Sequence, residues 1–312
     1  MGTLVGHVAP GFGFLLIGLW HLFNNTKLYS LNPNTYISLP WFPSPLLKYL
    51  ELILIMIGSS ISVSMELFIG PADHQPFDKD GTIPSNHLHN FEHASISLTF
   101  FIYAFFTMVF DHVKLKSKDS MTQLLGALAF GQQLLLFHLH SSDHMGVEGQ
   151  YHWLLQIVIF LSLCTTILSI AFPKSFTVAF TRSASIAFQG VWFIVMGFAL
   201  WTPGFIAKGC FINSEDGHQV VRCHDDESLH RAKSLVNIQF SWFTAGFAVV
   251  LMVLFLLMNH KYSELSQEQY VSLDNKTSDE EEEDLEGQMK LQETSSFIHM
   301  GKGFMKSMDL ER

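Results

Sequence analysis

The chain has 312 residues, 48% of them hydrophobic and 15% charged, with a net charge of −10. A soluble domain carries about 25% charged residues, so this balance excludes an ordinary soluble domain and points to a membrane protein. From Tyr262 onward there are thirteen Asp/Glu against five Lys/Arg, which leaves the rest of the chain close to neutral and offers nothing to a nucleic acid.

A spanning helix needs about 20 mostly apolar residues. Seven windows meet that length, at roughly 4–23, 46–69, 91–110, 122–140, 153–172, 184–202 and 237–258. They predict an all-α bundle of seven transmembrane helices over residues 1–261. No basic segment precedes the first window and no small-residue cleavage pattern follows it, so it reads as a span and not as a removed signal peptide. Lys27 and Lys48, then Lys114, Lys116 and Lys118, then Lys174 and Arg182, then Lys261 fall on one side of the alternating connections. The other side carries Lys79, none in the fourth connection and four basic residues in the long sixth one. The bias puts the N-terminus exoplasmic or lumenal and the C-terminus cytosolic, in the endomembrane system or the plasma membrane.

This orientation gathers ionisable groups at one face. His7, Glu66, His87, His89, Glu92, His93, His138, His140, His144, Glu148 and His152 all fall at exoplasmic span ends or in adjoining loops. The cytosolic side has His21, His112, His260 and tail His299. The second connection, rich in Gly, Pro and Asp, reads as an irregular cap over the exoplasmic face. The sixth connection holds Cys210 and Cys223, which could pair in an oxidising compartment; sequence does not supply the Cα separation that decides it. Cys164 lies in an apolar run and reads as core. Trp192, Trp201 and Trp242 sit in or near span ends and middles, where Trp commonly anchors an interface.

Residues 262–312 form an acidic segment, expected to be a disordered cytosolic tail because a run such as SDEEEEDLE repels itself. YSEL at 262–265 and YVSL at 270–273 have the form of sorting signals read by cytosolic adaptor proteins, and Ser278 precedes an acidic run that suits phosphorylation.

Side chains that ionise or bind metal are costly in a bilayer, so a cluster of them at its edge is a site hypothesis. Zinc takes about four ligands from His, Cys and carboxylate, and a catalytic zinc keeps one position for water. His89 and His93 share a helical face, whereas His138 and His140 lie about 200° apart on a helix and reach one point only if it distorts. His140, His144, Glu148 and His152 repeat every four residues, but Gly146 and Gly149 mark a chain reversal among them. The candidate metal ligands are His7, His93, His138, His140 and His152, with Glu66 and Glu148 as ligand or general base. The alternative is a Glu–His hydrogen-bond network that pins helices together. His21, His74, His112, His218, His224, His230 and His260 read as ordinary interfacial or hydrogen-bonded residues. Glu51, Gln132, Gln133 and Gln189 lie deeper, a sparse polar set for a transport path.

GHVAPG at 6–11, YLEL at 49–52, MELF at 65–68, EHASI at 92–96, FHLH at 137–140, the Glu148-x-x-x-His152 pair and FQGVWFIVMGFAL at 188–200 carry a resemblance. On these pieces the chain resembles the transmembrane protein 45 family, also called domain of unknown function 716, and looks most like its plant branch. The resemblance implies a seven-span membrane protein without an established biochemical activity. It carries over His7, Glu66, His93, His138, His140, Glu148 and His152, and leaves His87, His89 and His144 as weaker candidates. Vertebrate relatives have Asp where Glu148 stands, which keeps a carboxylate. Plant members labelled viral-response proteins imply a defence association.

Three readings follow. The first is a lumenal divalent-metal site, zinc by ligand preference, able to hydrolyse a lipid-like substrate if a water position stays open. The second is a non-enzymatic trafficking or scaffold protein with a structural His network. The third is metal transport.

Overall fold

The computed structural model describes residues 3–71, 74–143, 146–215 and 218–265, without the side chains of residues 140–143 and 218. The chain divides into two units, Met1–Asn259 and His260–Arg312. Of the second, His260–Leu265 are described, as the last residues of a helix. The two sorting-type motifs fall at that edge and beyond it, and the acidic segment lies outside the described residues.

Among the described residues there are seven long helices: α1 Leu4–Leu31, α2 Leu50–Ser64, α3 Leu88–His112, α4 Lys118–Asp143, α5 Val147–Ala171, α6 Phe176–Trp201 and α7 Asp226–Leu265. The all-α membrane architecture expected from composition is therefore present. Six helices are long and apolar enough to cross a membrane, with α2 counted together with a turn that follows it. The sixth connection also forms a two-stranded antiparallel hairpin, β1 Cys210–Glu215 and β2 His218–Cys223, which apolar-window reading does not foresee.

Most helices outrun their apolar windows. One such helix is α1, which continues to Leu31 because Asn25 and Thr26 are buried against protein and not exposed. Hydropathy measures transfer to lipid and is silent about a polar residue whose hydrogen bonds are met inside. Asn25 Nδ2 donates to Ser183 Oγ at 3.1 Å, and Tyr36 Oη donates to Asn25 Oδ1 at 2.8 Å.

The helices pack in the ring order α2, α3, α4, α5, α6, α1, with α1 closing against α2. α7 lies outside α6, where Phe240 meets Trp192 edge-on and Phe255 meets Phe176 and Phe180. The outer surface is apolar: Leu54, Ile57 and Ile61 on α2, and Trp242, Val249 and Leu256 on α7, are exposed. Such a surface suits hydrocarbon and not water. Inside lie Leu22, Leu52, Leu155, Ile159, Trp192 and Met196. Trp192 is thus core and not an interfacial anchor, its indole N–H donating to Tyr151 O at 3.1 Å. Cys164 is half-buried.

The antiparallel α1–α6 contact is the closest in the bundle. Gly11 and Gly18 on α1 face Gly190 and Gly197 on α6, each pair seven residues, or two turns, apart. A Cβ on Gly18 would stand 2.2 Å from Ala187 N, and one on Gly190 would stand 2.3 Å from Leu15 N. Small residues that let backbones approach are a usual means of joining helices in lipid, where apolar burial gives little drive.

Cys210 and Cys223 face each other in register across the hairpin and are joined as a disulfide. Arg222 grips Glu215 at the other end of the strands and holds that carboxyl below its usual range. Full denaturation without reductant should leave one alkylatable thiol, Cys164, and reduction should raise the count to three. Three labelled thiols before reduction would mean that the hairpin is not cross-linked.

Candidate functional site

The two ends of the bundle carry different polar assemblies. At the end bearing the hairpin, α1 begins at Thr3, whose hydroxyl accepts from Gly6 N at 3.1 Å and caps the helix. The Thr3 carbonyl lies 3.1 Å from His7 Nδ1. His152, in the second turn of α5, repeats the arrangement: its Nδ1 lies 2.9 Å from Glu148 O. A backbone carbonyl can only accept, so in both rings the proton sits on Nδ1 and the lone pair on Nε2. The two rings meet edge to face, 5.8 Å between centroids. Trp201 packs on the other side of His7 at 4.4 Å, and Phe137 stacks on His152 at 5.8 Å. His7 and His152 come from the first and fifth helices, and the glycine contact places His7, since a Cβ on Gly197 would stand 3.2 Å from His7 Cβ.

Glu66 lies where α2 changes pitch, in a π-helical turn over Met65–Ile69. Such single turns are uncommon and re-aim side chains. Here Glu66 is turned toward α3: Oε2 and the backbone carbonyl accept from Asn90 Nδ2 at 3.0 and 3.1 Å, and Oε1 lies 3.5 Å from His93 Nδ1. His138 sits on the exposed side of α4 with Nδ1 3.2 Å from Gln156 Oε1 of α5. The Glu148 side chain is buried. The His140 side chain and His144 lie outside the described residues. His87 is buried, and His89 pairs with Glu92 at 3.2 Å on the surface of α3.

The expected constellation thus arrives largely as helix-bridging pairs. Among the described residues, no group of three or more His, Cys, Asp or Glu is placed to hold one metal ion.

The opposite end holds an assembly that the sequence hardly signals. Glu51, in the first turn of α2, is buried. Its carboxylate accepts from His21 Nε2 at 2.6 Å, Trp20 Nε1 at 3.1 Å and Phe42 N at 2.9 Å. Arg182, read from its position as a loop cation, is instead buried in α6. It donates to Gln123 Oε1 at 2.5 Å, to His21 Nδ1 at 3.1 Å and to the carbonyls of Leu39 and Pro40 at 3.3 and 3.4 Å. Arginine has no acceptor atom, so His21 Nδ1 carries the lone pair and Nε2–H donates to Glu51. The imidazole is a neutral bridge between a buried cation and a buried anion. The 36–42 segment folds inward to complete it, held by Ser38 N donating to Pro173 O at 2.8 Å. The one hint in the sequence is that Glu51 and Arg182 lie beside or within apolar runs, where an ionised group needs a partner.

Residues 119–256 match the model of a family of unknown function (DUF716). That region runs from α4 into α7, so it includes Arg182 and His152 but not His7, His21, Glu51, Glu66 or His93. Over 222 residues the chain is 26% identical to transmembrane epididymal protein 1A of Mus musculus, covering 65% of this chain and 68% of the mouse protein.

Proposed function

We propose that this multi-pass membrane protein, whose residues 119–256 match the DUF716 family model, is a non-enzymatic membrane scaffold whose two polar ends lock the helices into one arrangement. One observation carries this reading. Five of the described candidate residues are engaged across helices: Glu66 of α2 with Asn90 and His93 of α3, His138 of α4 with Gln156 of α5, and His7 of α1 against His152 of α5. Glu66 is a positioning carboxylate on this reading, since its oxygens already meet Asn90 and His93. α4 is the seventh span; Gln123, Gln132 and Gln133 lower its hydropathy, and all three bond or bury inside the bundle. The hairpin end faces the exoplasm or lumen. The disulfide there supports that orientation, because cytosolic thiols are kept reduced. The acidic tail is then the part that meets cytosolic adaptors.

A second reading has an observation of its own. His7 and His152 both have Nδ1 held by a backbone carbonyl, the arrangement that orients metal-ligating imidazoles. Two imidazoles on one tetrahedral zinc bring their centroids to about 5 Å, close to the 5.8 Å seen. On this reading the pair binds a divalent cation, zinc by ligand preference.

Elemental analysis of protein purified without chelator separates the two. The scaffold predicts substoichiometric metal and a lower melting temperature for Glu66→Ala, which removes the carboxylate that Asn90 and His93 both meet, at a cost of about 1–3 kcal/mol. Stoichiometric metal, lost in both His7→Ala and His152→Ala, would replace it with the second reading.

A further inference from the structure

Two glutamines in the middle of the bundle belong to neither polar end. Gln133 of α4 is 1% exposed and Gln189 of α6 is 0% exposed. Gln133 Oε1 and both Gln189 Oε1 and Nε2 have no hydrogen-bond partner within the protein. A buried amide left unmatched is expensive, and native interiors contain few of them. Here three such atoms lie close together in depth.

The hydrogen bonds between helices fix that depth. α5 packs against both α4 and α6. Ser162 of α5 and Ser185 of α6 are joined at 2.9 Å, so they share a level. Gln189 is one turn beyond Ser185, about 6 Å further toward the hairpin end. Gln156 of α5 is level with Phe137 of α4, to whose carbonyl it donates at 3.4 Å. Gln133 is one turn before Phe137, again about 6 Å along the helix. Ser162 and Gln156 are themselves about 9 Å apart on α5, so the two glutamines stand within roughly 3 Å of the same depth. At that level α5 presents Ile159, which is fully buried and has nothing to offer an amide.

We propose that this layer is a binding site for bound water held between Gln133 and Gln189. The unmatched set is two carbonyl oxygens and one amide nitrogen, and a water can donate to both oxygens while accepting from the nitrogen. No charge is called for, because neither amide carries one. The site links two polar groups that are otherwise separate. Toward the hairpin end stand Gln156 and His152. Toward the other end stand the Ser162–Ser185 pair and then Arg182, whose Nε is also unmatched. Water at the glutamine level joins them into one polar column through the interior of α4, α5 and α6. This inference does not depend on whether the histidine end is a scaffold or a cation site.

The test uses full-length protein. Gln133→Met and Gln189→Met replace each amide by an apolar side chain of similar length. If the layer holds water, both variants lose its bonds, and melting temperature falls by roughly 3–6 °C. If the layer is dry, removing a stranded amide leaves the melting temperature unchanged or raises it, and the proposal is overturned. Should either variant fail to fold, radiolytic hydroxyl labelling of the unaltered protein gives a second readout, because a bound water is itself a source of the radical. Oxidation of Ile159, fully buried at this level, is the expected result. An Ile159 that is oxidised only after denaturation overturns the proposal.

Discussion

Gly190→Ala is expected to abolish recovery of folded protein. The added methyl would stand 2.3 Å from Leu15 N and 2.5 Å from Gly11 O, both main-chain atoms that cannot rotate away. Relief requires α1 and α6 to separate along their length, which undoes the Gly18–Ala187 and Gly197–His7 contacts as well. The expected loss exceeds about 4 kcal/mol, the range associated with backbone clashes and major repacking. Gly13→Ala on the same helix is the matched control, since nothing lies within 4 Å of its Cβ position. It should be neutral or slightly stabilising, because alanine orders a helix better than glycine by roughly 0.5–1 kcal/mol. The measurement is the monodisperse fraction on size-exclusion chromatography, followed by thermal melting. Equal behaviour of the two variants would mean that α1 and α6 are not in backbone contact. Because Gly197 sets the position of His7, a milder change such as Gly197→Ala should also disturb the His7–His152 pair.

Glu51→Ala should be nearly as damaging, for an electrostatic reason. It takes the acceptor from His21, Trp20 and the Phe42 amide and leaves Arg182 without its counter-ion. Removing one partner of a buried ion pair costs about 3–5 kcal/mol, because the other charge stays buried. Arg182→Ala should cost a similar amount. The double variant Glu51→Leu with Arg182→Leu should be markedly more stable than the sum of the single losses, since it removes both charges together. Strict additivity in that thermal double-mutant cycle would show that the two residues do not act through His21. Arg182→Lys should not rescue, because one ammonium cannot reach Gln123, His21 and the 39–40 carbonyls with fork geometry.

The histidine-rich end was legible in the sequence as a set of residues but not as an arrangement. Orientation and spacing bring His7, Glu66, His93, His138 and His152 toward one end. Which of them meet depends on crossings and on local pitch. Glu66 faces Asn90 and His93 through a π-helical turn that no periodicity reveals. His138 pairs with Gln156, a residue with no standing in a search for metal ligands. The Arg182 assembly escaped for a related reason. Positive-inside reasoning counts an arginine near a span end as a loop charge, and only tertiary packing shows that the 36–42 segment folds back to receive it.

By itself the sequence determined the membrane class, the helical build and the places where long helices lie, because hydrocarbon burial acts on each segment separately. It also marked the exoplasmic span ends as rich in histidine and glutamate. The tertiary structure decided how far the helices run beyond their apolar windows, the disulfide-joined hairpin, the glycine contact of α1 with α6 and the partners of the polar groups at the two ends. Those depend on residues far apart in the chain, as His21 and Arg182 are at 161 positions. A pairing of that kind is chosen by three-dimensional packing and leaves no local pattern in the chain.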